Sequence, residues 1–160
     1  MEIVSETDRE WSEYDTDHAR FRRKRLAADT EAEQLGCSLH EIPPGERAWP
    51  YHYHTSNEEA IYVLSGTGQI RGPDDHRPLQ TGDYVVLPAG ESGAHRMIND
   101  GEGTLRYLAL STMVDPDVVR YPDSESFGVY VGAPPGHPED ADFHGFYDVD
   151  ETVDFWNDVA

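Results

Sequence analysis

The feature that most narrows what this 160-residue chain can fold into is the spacing of its apolar runs. From Gln34 onward the runs are short and broken by turn signals every 8 to 12 residues: QLGCSLHEI then PPGE, AIYVLSG then TG, QIRG then PDD, DYVVLP then AGESG, TLRYLALS then VDPD. Runs this short, bounded by Gly, Pro and Asp, read as strands, and none carries a 3.6-residue apolar stripe. Residues 61–64 (IYVL) and 84–87 (YVVL) are apolar on both faces, as strands inside a sandwich or closed barrel are. Pro43–Pro44–Gly45, Gly72–Pro73–Asp74–Asp75 and Pro88–Ala89–Gly90 supply the restricted and positive φ angles of tight reversals. An all-β barrel or jelly roll is predicted, in one domain with a core large enough to need no staples.

The flanks differ in texture. Residues 1–33 are polar and acid-rich, with Trp11, Tyr14, Phe21 and Leu26 as scattered anchors and a basic cluster at Arg20, Arg22, Arg23, Lys24 and Arg25. They read as an acidic arm or short helix that builds no core of its own and docks on the barrel or on a partner subunit. The basic cluster is expected to pair with surplus carboxylates. Residues 34–114 form the barrel core, and 115–160 read as a loop-rich extension packing on it, with one short strand at GVYVG.

Charge excludes several functions. Thirty-two carboxylates stand against twelve bases, of which Lys24 is the single lysine, and the net charge is −20. A field this negative repels nucleic acid and anionic membrane and concentrates cations. It exceeds the roughly 2–8 charges that solubility asks of a small domain, and lysine-poor, aspartate-rich composition points to a halophilic habitat. No apolar run approaches the roughly 18 residues of a membrane span. The start MEIVSETDREW has neither a basic nor an apolar leader region, and the lone Cys37 can form no internal disulfide, so a cytoplasmic protein is expected.

The chemistry lies in two blocks. In PYHYHTSNEEAIYVLSG, His52 and His54 are two apart, which on a strand puts both imidazoles on one face. Glu59 follows far enough on for the chain to turn and return a carboxylate. In GDYVVLPAGESGAHRMIN, His95 stands just past the Pro88–Gly90 turn and can deliver a third imidazole. Three imidazoles and a carboxylate suit one divalent transition metal ion (Fe, Mn, Ni, Zn, Co or Cu) and are too nitrogen-rich for Ca or Mg.

These blocks resemble the paired motifs of the cupin superfamily. Gly45, His52, His54, Glu59 and Gly66 match the first motif, with one extra residue between Gly45 and His52; Gly82, Pro88, Gly90, His95 and Asn99 match the second. The resemblance, over about residues 34 to 112, implies a small single-domain cupin of the conserved-barrel type, a double-stranded β-helix whose His and Glu bind metal. It also implies pairing as a homodimer. Four residues, Glu91 to Ala94, stand where the family pattern has two, a lengthening that a bulge could absorb. Glu58 competes with Glu59 for the carboxylate position, but only Glu59 stands at the motif distance from Gly66, and alternation turns Glu58 to the other face.

The remaining histidines, His18, His40, His76, His137 and His144, read as surface or hydrogen-bonded residues. Alternation points Tyr53 and Arg96 away from the ion, while Arg47, Trp49 and Tyr51 either rim the pocket or pack against the arm. Cys37 reads as a small buried strand residue. Four protein ligands leave one or two coordination positions open. The expected function is therefore a small metal-dependent enzyme, of oxygenase or isomerase type, acting on a small polar metabolite. The alternative is a noncatalytic module that binds a sugar or carboxylate in the same pocket.

Overall fold

The computed structural model describes residues 1–133, 141–151, 153–154 and 156; His137 lies outside them. Among the described residues thirteen strands follow in order: β1 Ser12–Thr16, β2 Ala19–Arg25, β3 Leu35–Ile42, β4 Tyr53–His54, β5 Glu59–Ser65, β6 Thr67–Arg71, β7 His76–Gln80, β8 Tyr84–Leu87, β9 Arg96–Ile98, β10 Leu105–Thr112, β11 Asp117–Tyr121, β12 Ser126–Val131 and β13 Phe143–Asp148. The described helical turns are three short 3-10 segments, and among the described residues no helix is long and apolar enough to cross a membrane.

The strands form the two walls of a jelly-roll barrel. One wall is a six-stranded sheet in the order β1-β2-β3-β10-β5-β8; facing it are β13-β12-β11-β4 and β7-β6-β9. The strands of the large sheet pair antiparallel throughout, so alternate residues face inward. Ile42, Ile61, Val63, Leu105 and Tyr107 fill the core from it, with Ile70 and Met97 from the facing strands.

Two elements differ from expectation. Residues 12–25, read from sequence as part of an arm or short helix, form a β-hairpin that extends the large sheet, with Arg22 to Arg25 paired to Glu41 to Ser38. Phe21 is 3% exposed and belongs to the core, stacked on Tyr14 at 4.5 Å and edge-on to Trp49 at 4.6 Å. Charged residues masked this strand because alternation splits them. Arg20 and Arg22 turn outward to Asp15 and Glu41, whereas Arg23 and Arg25 turn inward. In the expected loop-rich extension, β11, β12 and β13 pair in register and close the second wall.

Motif glycines and Asn99 serve the barrel. Gly66 sits at φ +89°, and a Cβ there would lie 2.5 Å from the Thr104 carbonyl oxygen. Asn99 is fully buried, donating to the Ile42 and Gly103 carbonyls and accepting from the Gly101 N–H, so its amide fastens its own loop to the end of β3 without leaving a polar atom orphaned.

Candidate metal centre and pocket

Between the walls lies a cavity of about 800 Å³, within the range of small-molecule sites. At its edge the sequence-selected residues converge. His54 lies on β4 opposite Val119 of β11, and His52 makes a two-way backbone bridge with His95, the N–H···O distances being 3.1 and 2.8 Å. Glu59 opens β5. Donor atoms of His52, His54 and Glu59 all lie within 4.8 Å of one another. His95 stands at the margin of this set, its Nε2 3.7 Å from Glu59 Oε2 and its ring 4.7 Å from that of His52. Glu58 is exposed, outside the cluster.

The lengthened loop before His95 is taken up by a 3-10 turn over Glu91–Gly93 rather than by a bulge. Its cap, Gly90, has φ +90°, a conformation that glycine adopts at no steric cost.

Each imidazole is held from behind. The Nδ1 of His52 lies 2.8 Å from the Pro50 carbonyl, that of His95 3.0 Å from the Gly93 carbonyl, and that of His54 2.6 Å from Asp117 Oδ2. Nδ1–H donation to these acceptors leaves Nε2 as the lone-pair atom, and the Nε2 of His54 is 3.5 Å from Glu59. This is how ligating histidines are oriented in metal sites, and the donor set fits a first-row divalent ion. Burial, then the neighbouring histidines, holds His52 well below its ordinary pKa, and burial lowers His95. Burial also opposes charge on His54, but Asp117 and Glu59 outweigh it and raise its pKa.

Asp117, 1% exposed, was not singled out from the sequence. Burial alone would raise its pKa, but hydrogen bonds from His54, Asn57 and the Ser56 N–H hold it down. The available signal was an acid opening the apolar run DVVRY two residues before Val119.

The large sheet lines the rest of the cavity, and here His40, read from sequence as a surface or hydrogen-bonded residue, is buried. His18 and His144 are exposed, and exposed His76 bonds Gln69. His40 is 3% exposed, stacked on Tyr107 at 5.0 Å, and burial with the Arg23 charge lowers its pKa to about 3. Arg96, expected to point away, lines the cavity and donates to the His18 carbonyl at 2.8 Å. Trp49 lines it also, while Tyr51 lies under Arg71 at 3.9 Å. Cys37 is half-buried on β3, and burial raises its pKa, which disfavours the thiolate.

Neutral burial of His40 has a measurable consequence. Unfolded, it takes up a proton below about pH 6.5; folded, it resists until about 3. Its contribution is therefore fully present above 6.5 and declines as pH falls, by about 2 kcal/mol at pH 5. Urea unfolding at pH 7 and pH 5 should show this loss, reduced by about one proton's slope in His40→Phe. An unchanged slope in that variant would refute the assignment.

A family model described as a cupin domain matches residues 38–111. The chain is similar to a putative sugar phosphate isomerase from Acidithiobacillus ferrooxidans, at 31% identity over 85% of this chain and 81% of that one, with a TM-score of 0.71. It shares the fold of a sugar phosphate isomerase of a cupin superfamily from Silicibacter pomeroyi, at TM-score 0.79 and 18% identity, over 94% and 95% of the two chains. Protein SchB of Streptomyces halstedii is 34% identical over 67 residues, 42% of this chain; the match spans under half, 46%, of that protein's length.

Proposed function

We propose that this chain, which belongs to the cupin superfamily, is a metal-dependent enzyme that transforms a small molecule held between the barrel walls. The observation that carries the reading is the convergence of His52, His54 and Glu59, with His95 beside them, at the edge of an 800 Å³ cavity. His52, His54, Glu59 and His95 would hold one divalent transition metal ion. Such an ion, with positions left open, supplies Lewis-acid polarisation of a substrate oxygen or lowers the pKa of bound water. Isomerase chemistry is placed ahead of oxygenase chemistry because the 31%-identical relative is named for it.

The protein's own part is orientation. Asp117, Pro50 and Gly93 fix the three rings. A second reading, a noncatalytic binding module, is favoured by one observation: His40 is held at about 3, and burial pushes Tyr107 and Tyr121 far above their ordinary pKa, so these cavity groups are not poised for proton transfer near neutrality.

Elemental analysis of protein purified at high salt without a polyhistidine tag tests the centre. One equivalent of Fe, Mn, Ni, Zn, Co or Cu is expected, absent from a His52→Ala/His95→Ala double variant. Equal metal in both, or in neither, would refute it. Turnover of an aldose or ketose phosphate by the loaded protein would favour the enzyme; saturable binding without product would favour the module.

A further inference from the structure

We propose that Arg96, with Arg47 and Arg71 beside it, forms an anion subsite on an open side of the cavity, and that the group it grips is the phosphate of a phosphorylated small molecule. The inference deepens the isomerase reading of the cavity, on which it rests, by naming the class of substrate and the residues that select it.

Sheet register brings the three arginines to one face. Arg71 of β6 pairs with Arg96 of β9, and Ile98, two residues on, bridges Arg47. Arg47 therefore stands diagonally from Arg96 on the same face, about 7–8 Å away between Cα atoms. Like charges directly opposite one another on neighbouring strands destabilise a sheet. Asp123 answers one of them: Arg71 donates to both of its carboxylate oxygens, at 2.6 and 2.8 Å.

Arg96 has no such answer. Its Nη2 donates to the backbone carbonyls of His18 and Ala48, at 2.8 and 3.5 Å, which position the guanidinium without neutralising it. Among the described residues, neither Arg96 nor the exposed Arg47 forms an ion pair. The chain has 32 carboxylates against 12 bases, and elsewhere Arg22, Arg77 and Arg106 each meet a carboxylate. Three guanidinium charges against the one carboxylate of Asp123 leave a surplus that matches the nearly two negative charges of a phosphate monoester. Planar guanidinium forks also suit its oxygens.

The subsite adjoins the candidate metal centre. Ala48 lies opposite Met97, whereas His52 lies opposite His95, so residues 49–51 bulge against the start of β9. Bulges re-aim side chains, and Trp49 and Arg96 both line the cavity. Exposed Pro50 and Ser124 line it too, which marks this as a side open to solvent. Arg96 follows His95 directly, about 3.8 Å away between Cα atoms. A short polar body is then enough to join a group at the centre to a phosphate at Arg96.

The test is titration calorimetry of the full-length protein with inorganic phosphate and with ribose 5-phosphate. Both should bind saturably, the ester at least as tightly as the free anion. Arg96→Gln should weaken both about tenfold or more, as loss of a charge-assisted contact does. Arg106→Gln, an equal charge change on the outer face of the opposite wall, should leave both within about twofold. No saturable phosphate binding in the unaltered protein, unchanged binding in folded Arg96→Gln, or an equal loss in Arg106→Gln would overturn the subsite. An ester that binds more weakly than free phosphate would overturn the assignment of the ligand. Should Arg96→Gln not fold, Arg47→Glu, at an exposed position, should cut phosphate binding about tenfold; no change would overturn the proposal.

Chelator-treated protein should still bind inorganic phosphate, and Arg96→Gln should still weaken it. Binding that disappears with the metal would put the anion on the ion and overturn the subsite. The expected pattern in protein that takes up no transition metal would leave the subsite standing and remove the metal-dependent reading alone.

Discussion

Replacing Asp117 by alanine should weaken binding of a transition metal by about 10- to 100-fold. The carboxylate is 1% exposed and sits 2.6 Å from His54 Nδ1, fixing the ring so that Nε2 faces Glu59. Without it, a buried Nδ1–H loses its acceptor and the ring gains rotational freedom. Loss of the buried partner should also cost about 1–3 kcal/mol of stability. Asp117→Asn, whose amide oxygen can still accept that hydrogen, should fall between the parent and the alanine variant. Competition titrations against a chromophoric chelator, with urea unfolding of the same samples, measure both effects. Unchanged metal affinity in Asp117→Ala would mean that His54 is not held as a ligand by this contact.

Gly93→Ala should be the most disruptive single methyl in the described structure. A Cβ there would overlap the Pro88 carbonyl oxygen and lie 3.0 Å from that carbonyl carbon. Both are backbone atoms of the same turn, so no rotamer change relieves the overlap. The 3-10 turn over residues 91–93 would have to open, and with it the Gly93 carbonyl that holds His95 Nδ1 at 3.0 Å. A stability loss of about 3 kcal/mol, at the upper end for overpacking, is expected with loss of the His95 contribution to metal binding. Gly103→Ala, where a Cβ meets nothing within 4 Å, serves as the control. Equal melting temperatures for the two variants would contradict this account of the turn.

Strands were legible where short apolar runs stand between turn residues. β5 and β8 could be read directly, and the glycines and prolines between runs marked the hairpins. Two side chains of the candidate centre, His52 and His54, were legible because HxH spacing on a strand has one meaning for side-chain direction, and Glu59 and His95 were legible through the resemblance of the two blocks to paired family motifs. The N-terminal hairpin was not: in ARFRRKR both faces carry arginine, and a charge pattern gives no direction until a partner strand exists. Arg23 and Arg25 face inward only because β2 pairs with β3 in one register.

By itself, then, the sequence determined an all-β chain, its turns and the paired blocks that bring imidazoles and a carboxylate to one end of a barrel. Those features depend on neighbours within a few residues, where strand periodicity and turn chemistry act. The tertiary structure alone decided that Asp117 backs His54 across 63 positions, and that Arg23, His40 and Tyr107 share a row of the cavity wall. Such contacts are set by which strands pair and in what register. That choice is made by burial across the whole core rather than by any local segment.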